Sequence, residues 1–154
     1  MNPKFVSKKF NRPELQSCFM VVDDNNDILN VMRAVLARIS DMPAEYFTSP
    51  TEALAAFQVA PQKFALVITD FDMPEMTGVE LCHQLRNISP AVKVLLATGS
   101  GIASRSALGS KGFCGLLRKP FTIKDVEDAL TNAGIKETQA GNLFDKEPTG
   151  LMLA

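Results

Sequence analysis

FALVITDFDMPEMTG, residues 64–78, decides the fold. Ala65 to Thr69 are apolar or small, rich in Val and Ile, and lead directly into the acidic residues Asp70 and Asp72. A continuous apolar run of this kind predicts a strand buried on both faces, in the middle of a parallel sheet. The acids then fall at its carboxyl end. In open α/β sheets the strands stop there, the connecting loops splay apart, and ligands bind in the crevice, so Asp70 is the candidate centre of a site. Pro74 ends the extended segment, and Thr77 with Glu80 has capping-box spacing, which predicts a helix from about Gly78.

The flanking sequence repeats this order. Cys18 to Val22 is a second apolar run ending in acids, Asp23 and Asp24, followed by Ile28, Leu29, Met32, Val35, Leu36 and Ile39 at helical spacing. Glu45–Phe47 predicts a short strand. Ser49-Pro50-Thr51-Glu52 combines an N-cap, a proline at the first helical position and a capping-box acid, for a helix running to about Val59 before Pro61 breaks it. The helix carrying Val79, Leu81, Cys82 and Leu85 stops at Ser89-Pro90, and Val92–Ala97 predicts a fourth strand closed by Thr98-Gly99-Ser100-Gly101. A short helix over Ile102–Leu108, a brief strand at Leu116-Leu117 and a helix capped at Thr122 and stopped by Gly134 complete the chain.

Five strands alternating with five helices imply βαβ units: an α/β, doubly wound, five-stranded parallel sheet with helices on both faces. The expected organisation is an arm over residues 1–15, one domain over 16–134 and a tail over 135–154. A content of 46% apolar and 21% charged residues suits a single globular domain. Sixteen basic against seventeen acidic residues leave a net charge of -1, too balanced for a general attraction to nucleic acid, so no direct nucleic-acid binding is expected. The N-terminal lysines lack the apolar core of a signal peptide and no run reaches membrane-spanning length, so the expected location is cytoplasmic, with no membrane contact. Cys18, Cys82 and Cys114 are odd in number and without CxxC spacing, and are read as small buried hydrophobes.

The strand ends gather Asp23, Asp24, Asp70, Asp72, Thr98 and Lys119 on one edge of the sheet. Several carboxylates close together repel unless a cation joins them, and hard oxygen ligands suit Mg²⁺. With a hydroxyl and an ammonium alongside, the set makes a phosphoryl site in which Asp70 is the nucleophile.

VVDD at 21–24, TDFDMPEMTG at 69–78, ATG at 97–99 and KPF at 119–121 together resemble the four blocks of the receiver domain of bacterial two-component response regulators. The resemblance spans roughly residues 17–134 and is similar to that of single-domain chemotaxis-type regulators. It implies a flavodoxin-like fold with strand order 2-1-3-4-5 and a protein that is no enzyme beyond catalysing its own phosphorylation and dephosphorylation. Asp70 would be the phosphoacceptor, loaded by a sensor histidine kinase or histidine phosphotransfer protein. Asp23, Asp24, Asp70 and the backbone carbonyl of Asp72 would hold Mg²⁺. Thr98 would move toward the phosphoryl group, Lys119 would pair with it, and a cis peptide would precede Pro120. Positions Asp72 and Ser100 would influence the lifetime of the aspartyl phosphate.

The chain departs from the family in one place. Three residues before the lysine the family often carries an aromatic ring that turns inward when the threonine moves, and here that residue is Leu116. Phe113 lies three residues too early to replace it. The expectation is that phosphorylation still shifts Thr98 while its readout on the last strand and helix is altered.

Without an output domain, such a chain would signal to a downstream protein by contact. Met1 and the leading arm favour a free-standing regulator over a receiver cut from a hybrid kinase. Two alternatives stand beside this reading. One is a receiver-like interaction module with impaired switching. The other is a phosphatase resembling the haloacid dehalogenase superfamily, whose DxD motif Asp70-Phe71-Asp72 resembles, although that family has its DxD on the first strand.

Overall fold

The computed structural model describes residues 17–99 and 111–135. Within them the order is β1 (Cys18–Val22), α1 (Asn26–Ile39), β2 (Ala44–Phe47), α2 (Pro50–Val59), a 3₁₀ turn (Pro61–Lys63), β3 (Phe64–Asp70), α3 (Gly78–Ile88), β4 (Val94–Thr98), β5 (Gly115–Arg118) and α4 (Ile123–Asn132). The five strands form one parallel sheet in the order β2-β1-β3-β4-β5. This is the flavodoxin-like arrangement, with the chain reversing direction of travel between β1 and β3. The short helix expected over Ile102–Leu108 lies outside the described residues, as do Ser100, the arm and all but the first residue of the tail.

Alternation along the strands builds two apolar layers. Met20, Val22, Val67, Val94 and Leu96 face one side and pack with Ala53, Leu54 and Phe57 of α2 and Leu81, Cys82 and Leu85 of α3. Phe19, Val21, Leu66, Ile68, Leu95 and Ala97 face the other and pack with Leu29, Met32, Val35 and Leu36 of α1 and Val126 and Leu130 of α4. Period-two side chains on a strand covered on both faces explain why β1 and β4 are buried at every position.

The helices start where side-chain caps put them. Ser49 accepts from the Glu52 amide, and both Thr77 with Glu80 and Thr122 with Asp125 form complete capping boxes. For α1 the cap is Asn25, whose side chain accepts from the Asp27 amide, so neither Asp23 nor Asp24 is needed there. Several details differ from the sequence reading. β4 starts at Val94 and takes in Thr98, because Val92 is used in the turn where its amide donates to the Ser89 carbonyl. The 3₁₀ turn begins at Pro61, a residue read only as a breaker. Cys18 and Cys82 are buried, but Cys114, expected in the core, is exposed ahead of β5. No helix among the described residues is long and apolar enough to cross a membrane.

Candidate functional site

Asp23, Asp24, Asp70, Asp72, Thr98 and Lys119 all lie within the described residues. Asp23 and Asp24 follow β1, Asp70 ends β3, Thr98 ends β4, and Lys119 follows β5. The parallel sheet carries all of these ends to one edge, and backbone hydrogen bonds fix their mutual height. The Asp23 amide donates to the Phe47 carbonyl at 3.0 Å, and the Lys119 amide donates to the Thr98 carbonyl at 2.9 Å. Lys119 and Thr98 are thereby held side by side through main chain. The Lys119–Pro120 peptide is cis.

Asp23, Asp24 and Asp70 bring carboxylate oxygens within 4.8 Å of one another. Asp23 is 3% exposed, whereas Asp24 faces solvent. The Asp72 side chain is exposed and is not in this group; its expected contribution is its backbone carbonyl. Lys119 Nζ lies 2.5 Å from Asp23 Oδ2 and 3.0 Å from Asp70 Oδ1, with side chains 16%, 4% and 12% exposed respectively. The second oxygen of Asp23, Oδ1, accepts from the Asn25 amide at 2.9 Å. Thr98 is buried beside them.

The charges in this pocket are strongly coupled. Burial raises the Asp70 carboxyl above the ordinary carboxylate range, the hydrogen bond from Lys119 works against that rise, and the negative charge of Asp23 adds to it. For Lys119, burial disfavours the ammonium, but hydrogen bonds to Asp23 and Asp70 outweigh it and the net shift is upward. The Lys119–Asp70 contact favours both charges; at Asp70 burial and the neighbouring carboxylate win.

Three carboxylates against one ammonium leave an excess of negative charge on clustered, hard oxygen donors. That donor set fits a divalent cation such as Mg²⁺, which takes one or two carboxylates and completes its shell with water. Lys119 engages only one oxygen each of Asp23 and Asp70, so further donor oxygens remain in the group.

Two features of the site, and one at the opposite edge of the sheet, are not legible in the sequence. α3 starts at Gly78 as the sequence predicts, and a Cβ there would sit 2.2 Å from the Asp70 carbonyl oxygen, so α3 can approach the end of β3 only with glycine. The signal was a glycine directly after a Thr N-cap, where almost any residue satisfies the helix. Glu75 has φ 72°, in the left-handed region, and its carboxylate accepts from Thr51 Oγ1 at 2.6 Å and Ser49 Oγ at 3.2 Å. No local pattern announces a bond between residues so far apart in sequence. At the opposite, amino-terminal ends of β4 and β5, Arg86 reaches the carbonyls of Val92 and Gly112, and a Cβ at Gly112 (φ 91°) would displace that side chain. At the position of the missing aromatic, Leu116 is partly buried against the α2–α3 layer, and Phe113 is a buried core residue of the same layer.

A family model described as the response regulator receiver domain matches residues 19–131. The chain is 28% identical over 113 residues to the response regulator receiver protein CpdR of Brucella abortus, covering 72% of this chain and 91% of that protein. It is 30% identical over 139 residues to the transcriptional activator protein ExaE of Pseudomonas putida, covering 88% of this chain and 61% of ExaE, so the chain spans less than two thirds of that relative. Among solved structures, a response regulator receiver domain protein from Clostridium thermocellum superposes with a TM-score of 0.69 at 30% identity, over 83% of this chain and 98% of the other.

Proposed function

The chain belongs to the response regulator receiver domain family, and we propose that Asp70 is its phosphoacceptor, working with Lys119, Thr98 and a Mg²⁺ ion held by Asp23, Asp24, Asp70 and the Asp72 carbonyl. The observation that carries this reading is the clustering of three carboxylates within 4.8 Å beside an ammonium that touches two of them.

The chemistry follows from these groups. An oxygen of the Asp70 carboxylate attacks the phosphorus of a phosphohistidine on a kinase or phosphotransfer partner. The P–N bond breaks as the O–P bond forms, and the departing imidazole retains the electron pair. Burial keeps Asp70 more basic than an ordinary carboxylate, which strengthens it as a nucleophile. Bound Mg²⁺ supplies positive charge against the phosphoryl oxygens. Lys119 exchanges its contact with Asp70 for one with a phosphoryl oxygen while keeping its bond to Asp23, and the Thr98 hydroxyl donates a further hydrogen bond.

On this reading the chain is a signalling protein and not an enzyme acting on a separate substrate, and it signals by contact with a downstream protein. The order of the acids opposes a dehalogenase-type phosphatase, since Asp70 ends the third strand and the pair Asp23-Asp24 precedes it. Borohydride reduction tests the assignment: an acyl phosphate on Asp70 is converted to homoserine, and peptide mapping then finds that change at position 70. A phosphoryl group on any other residue would overturn it.

A further inference from the structure

We propose that Glu75 is a positioning residue for the cation site, acting by anchoring the β3–α3 loop to the first turn of α2. The proposal rests on the reading of the acidic cluster as a Mg²⁺ site.

Residues 71–77 join the end of β3 to α3, and they contain Asp72, whose carbonyl is the expected ligand. Three kinds of contact hold this loop: a backbone bond, apolar packing and a long-range side-chain contact. The Gly78 amide donates to the Phe71 carbonyl at 2.8 Å, closing the base. Met73 is buried in the α2–α3 layer, and Phe71 and Met76 pack against it. Glu75 accepts from Thr51 Oγ1 and Ser49 Oγ, both through Oε2.

The third contact spans elements 24 and 26 residues apart in sequence. Bonds to a carboxylate are charge-assisted, and the first turn of α2 presents the positive end of its dipole to that charge. The contact also holds an unfavourable backbone. With φ 72° and the Met76 amide donating to the Pro74 carbonyl at 2.8 Å, Glu75 is the centre of a γ-turn that a side chain other than glycine adopts only when its surroundings over-determine it. Here the carboxylate does so. Removing it frees the turn, and Asp72 is left held by the Phe71–Gly78 bond and by apolar packing alone. Ser49 fits the role in a second way: its hydroxyl accepts from the Glu52 amide and still has a proton to donate to Glu75.

The consequence is a weaker cation site in a protein that is still folded. Groups that orient metal ligands without touching the metal typically contribute about 10- to 100-fold in affinity. The experiment is calorimetric titration of the full chain with Mg²⁺, with melting in EDTA recorded in parallel. It compares wild type, Glu75→Ala, Glu75→Gln, the double variant Ser49→Ala/Thr51→Val, and the triple variant combining that pair with Glu75→Ala. Expected are about a tenfold weaker Kd for Glu75→Ala and for the double variant, no further loss in the triple, and recovery of most of the affinity with Gln, which keeps an acceptor oxygen. A Glu75→Ala protein that is folded and binds Mg²⁺ as tightly as wild type overturns the proposal. So does a loss in Glu75→Ala without a matching loss in the double variant, which tests the same contact from α2 if the Glu75 variants fold poorly. Failure of wild type itself to bind Mg²⁺ overturns the underlying reading of the site, and it is seen before any variant is compared.

Discussion

One ammonium, that of Lys119, bridges carboxylates carried by the first and third strands, lying 2.5 Å from Asp23 and 3.0 Å from Asp70. The pair of contacts ties β5 to the centre of the sheet across the site edge. It also makes the stability of the metal-free protein depend on the same residues as its chemistry.

Lys119→Met is therefore expected to destabilise the protein in EDTA by about 3 kcal/mol, because two largely buried carboxylates are left facing each other. Added Mg²⁺ narrows the gap by restoring positive charge. The pH dependence has a definite sign. The Lys119 ammonium is favoured in the folded state, so its contribution is complete below the ordinary lysine value of 10.5 and is lost as pH rises through the higher folded value. Urea denaturation of both proteins between neutral pH and pH 11 should show the wild-type advantage shrinking only at the alkaline end; an advantage unchanged at pH 11 would contradict the pairing.

Asp70→Asn should stabilise the metal-free protein at neutral pH. A carboxyl raised in the folded state binds more protons folded than unfolded, so ionising it costs stability as pH climbs from the ordinary carboxylate value of 3.8 through the folded value. Asparagine removes that cost. The difference in melting temperature between variant and wild type is expected to open over this window and then hold to neutral pH. A variant that melts below wild type at pH 7 in EDTA would be inconsistent with the raised Asp70.

Gly78→Ala places a methyl 2.2 Å from the Asp70 carbonyl oxygen and 3.2 Å from the Phe71 Cα, both backbone atoms. Neither neighbour can swing aside, so α3 must move away from the end of β3. A loss of about 2–3 kcal/mol is expected, with weakened Mg²⁺ binding in whatever fraction folds. Thermal melting and calorimetry check it. Alanine in place of the partly exposed Val79, one residue on, provides the control.

Burial pushes the Cys82 thiol up to about 11. Iodoacetamide at pH 8 should therefore leave Cys82 unmodified in the native protein and label it fully in guanidinium, as read by peptide mass. Rapid labelling of the native protein would mean that the layer between β3, β4 and α3 opens far more often than its packing implies.

Much of this architecture is legible because local signals and global fold agree. The apolar runs at Cys18–Val22 and Phe64–Thr69 have no polar alternation, which only a strand covered on both faces tolerates, and each ends in the acids that form the site. Capping residues Ser49, Thr77 and Thr122 mark helix starts by a mechanism confined to four residues, so they are read correctly. Long-range relationships are not readable in that way. Gly78 looks like any residue at the start of a helix until Asp70 is placed against it, and Glu75 looks like a loop acid until α2 lies beside it. The Lys119 bridge stands between these cases. Motif order brings Lys119, Asp23 and Asp70 to one edge, but only the folded sheet determines that a single ammonium reaches both carboxylates.

The most direct measurement is the intact mass of the protein after incubation with a small-molecule phosphodonor, with and without Mg²⁺, for wild type and Asp70→Asn. The account predicts one phosphoryl adduct on wild type, dependent on Mg²⁺ and absent from the variant. An adduct of equal yield on Asp70→Asn, or no adduct on a wild-type protein that is folded and saturated with Mg²⁺, would contradict it.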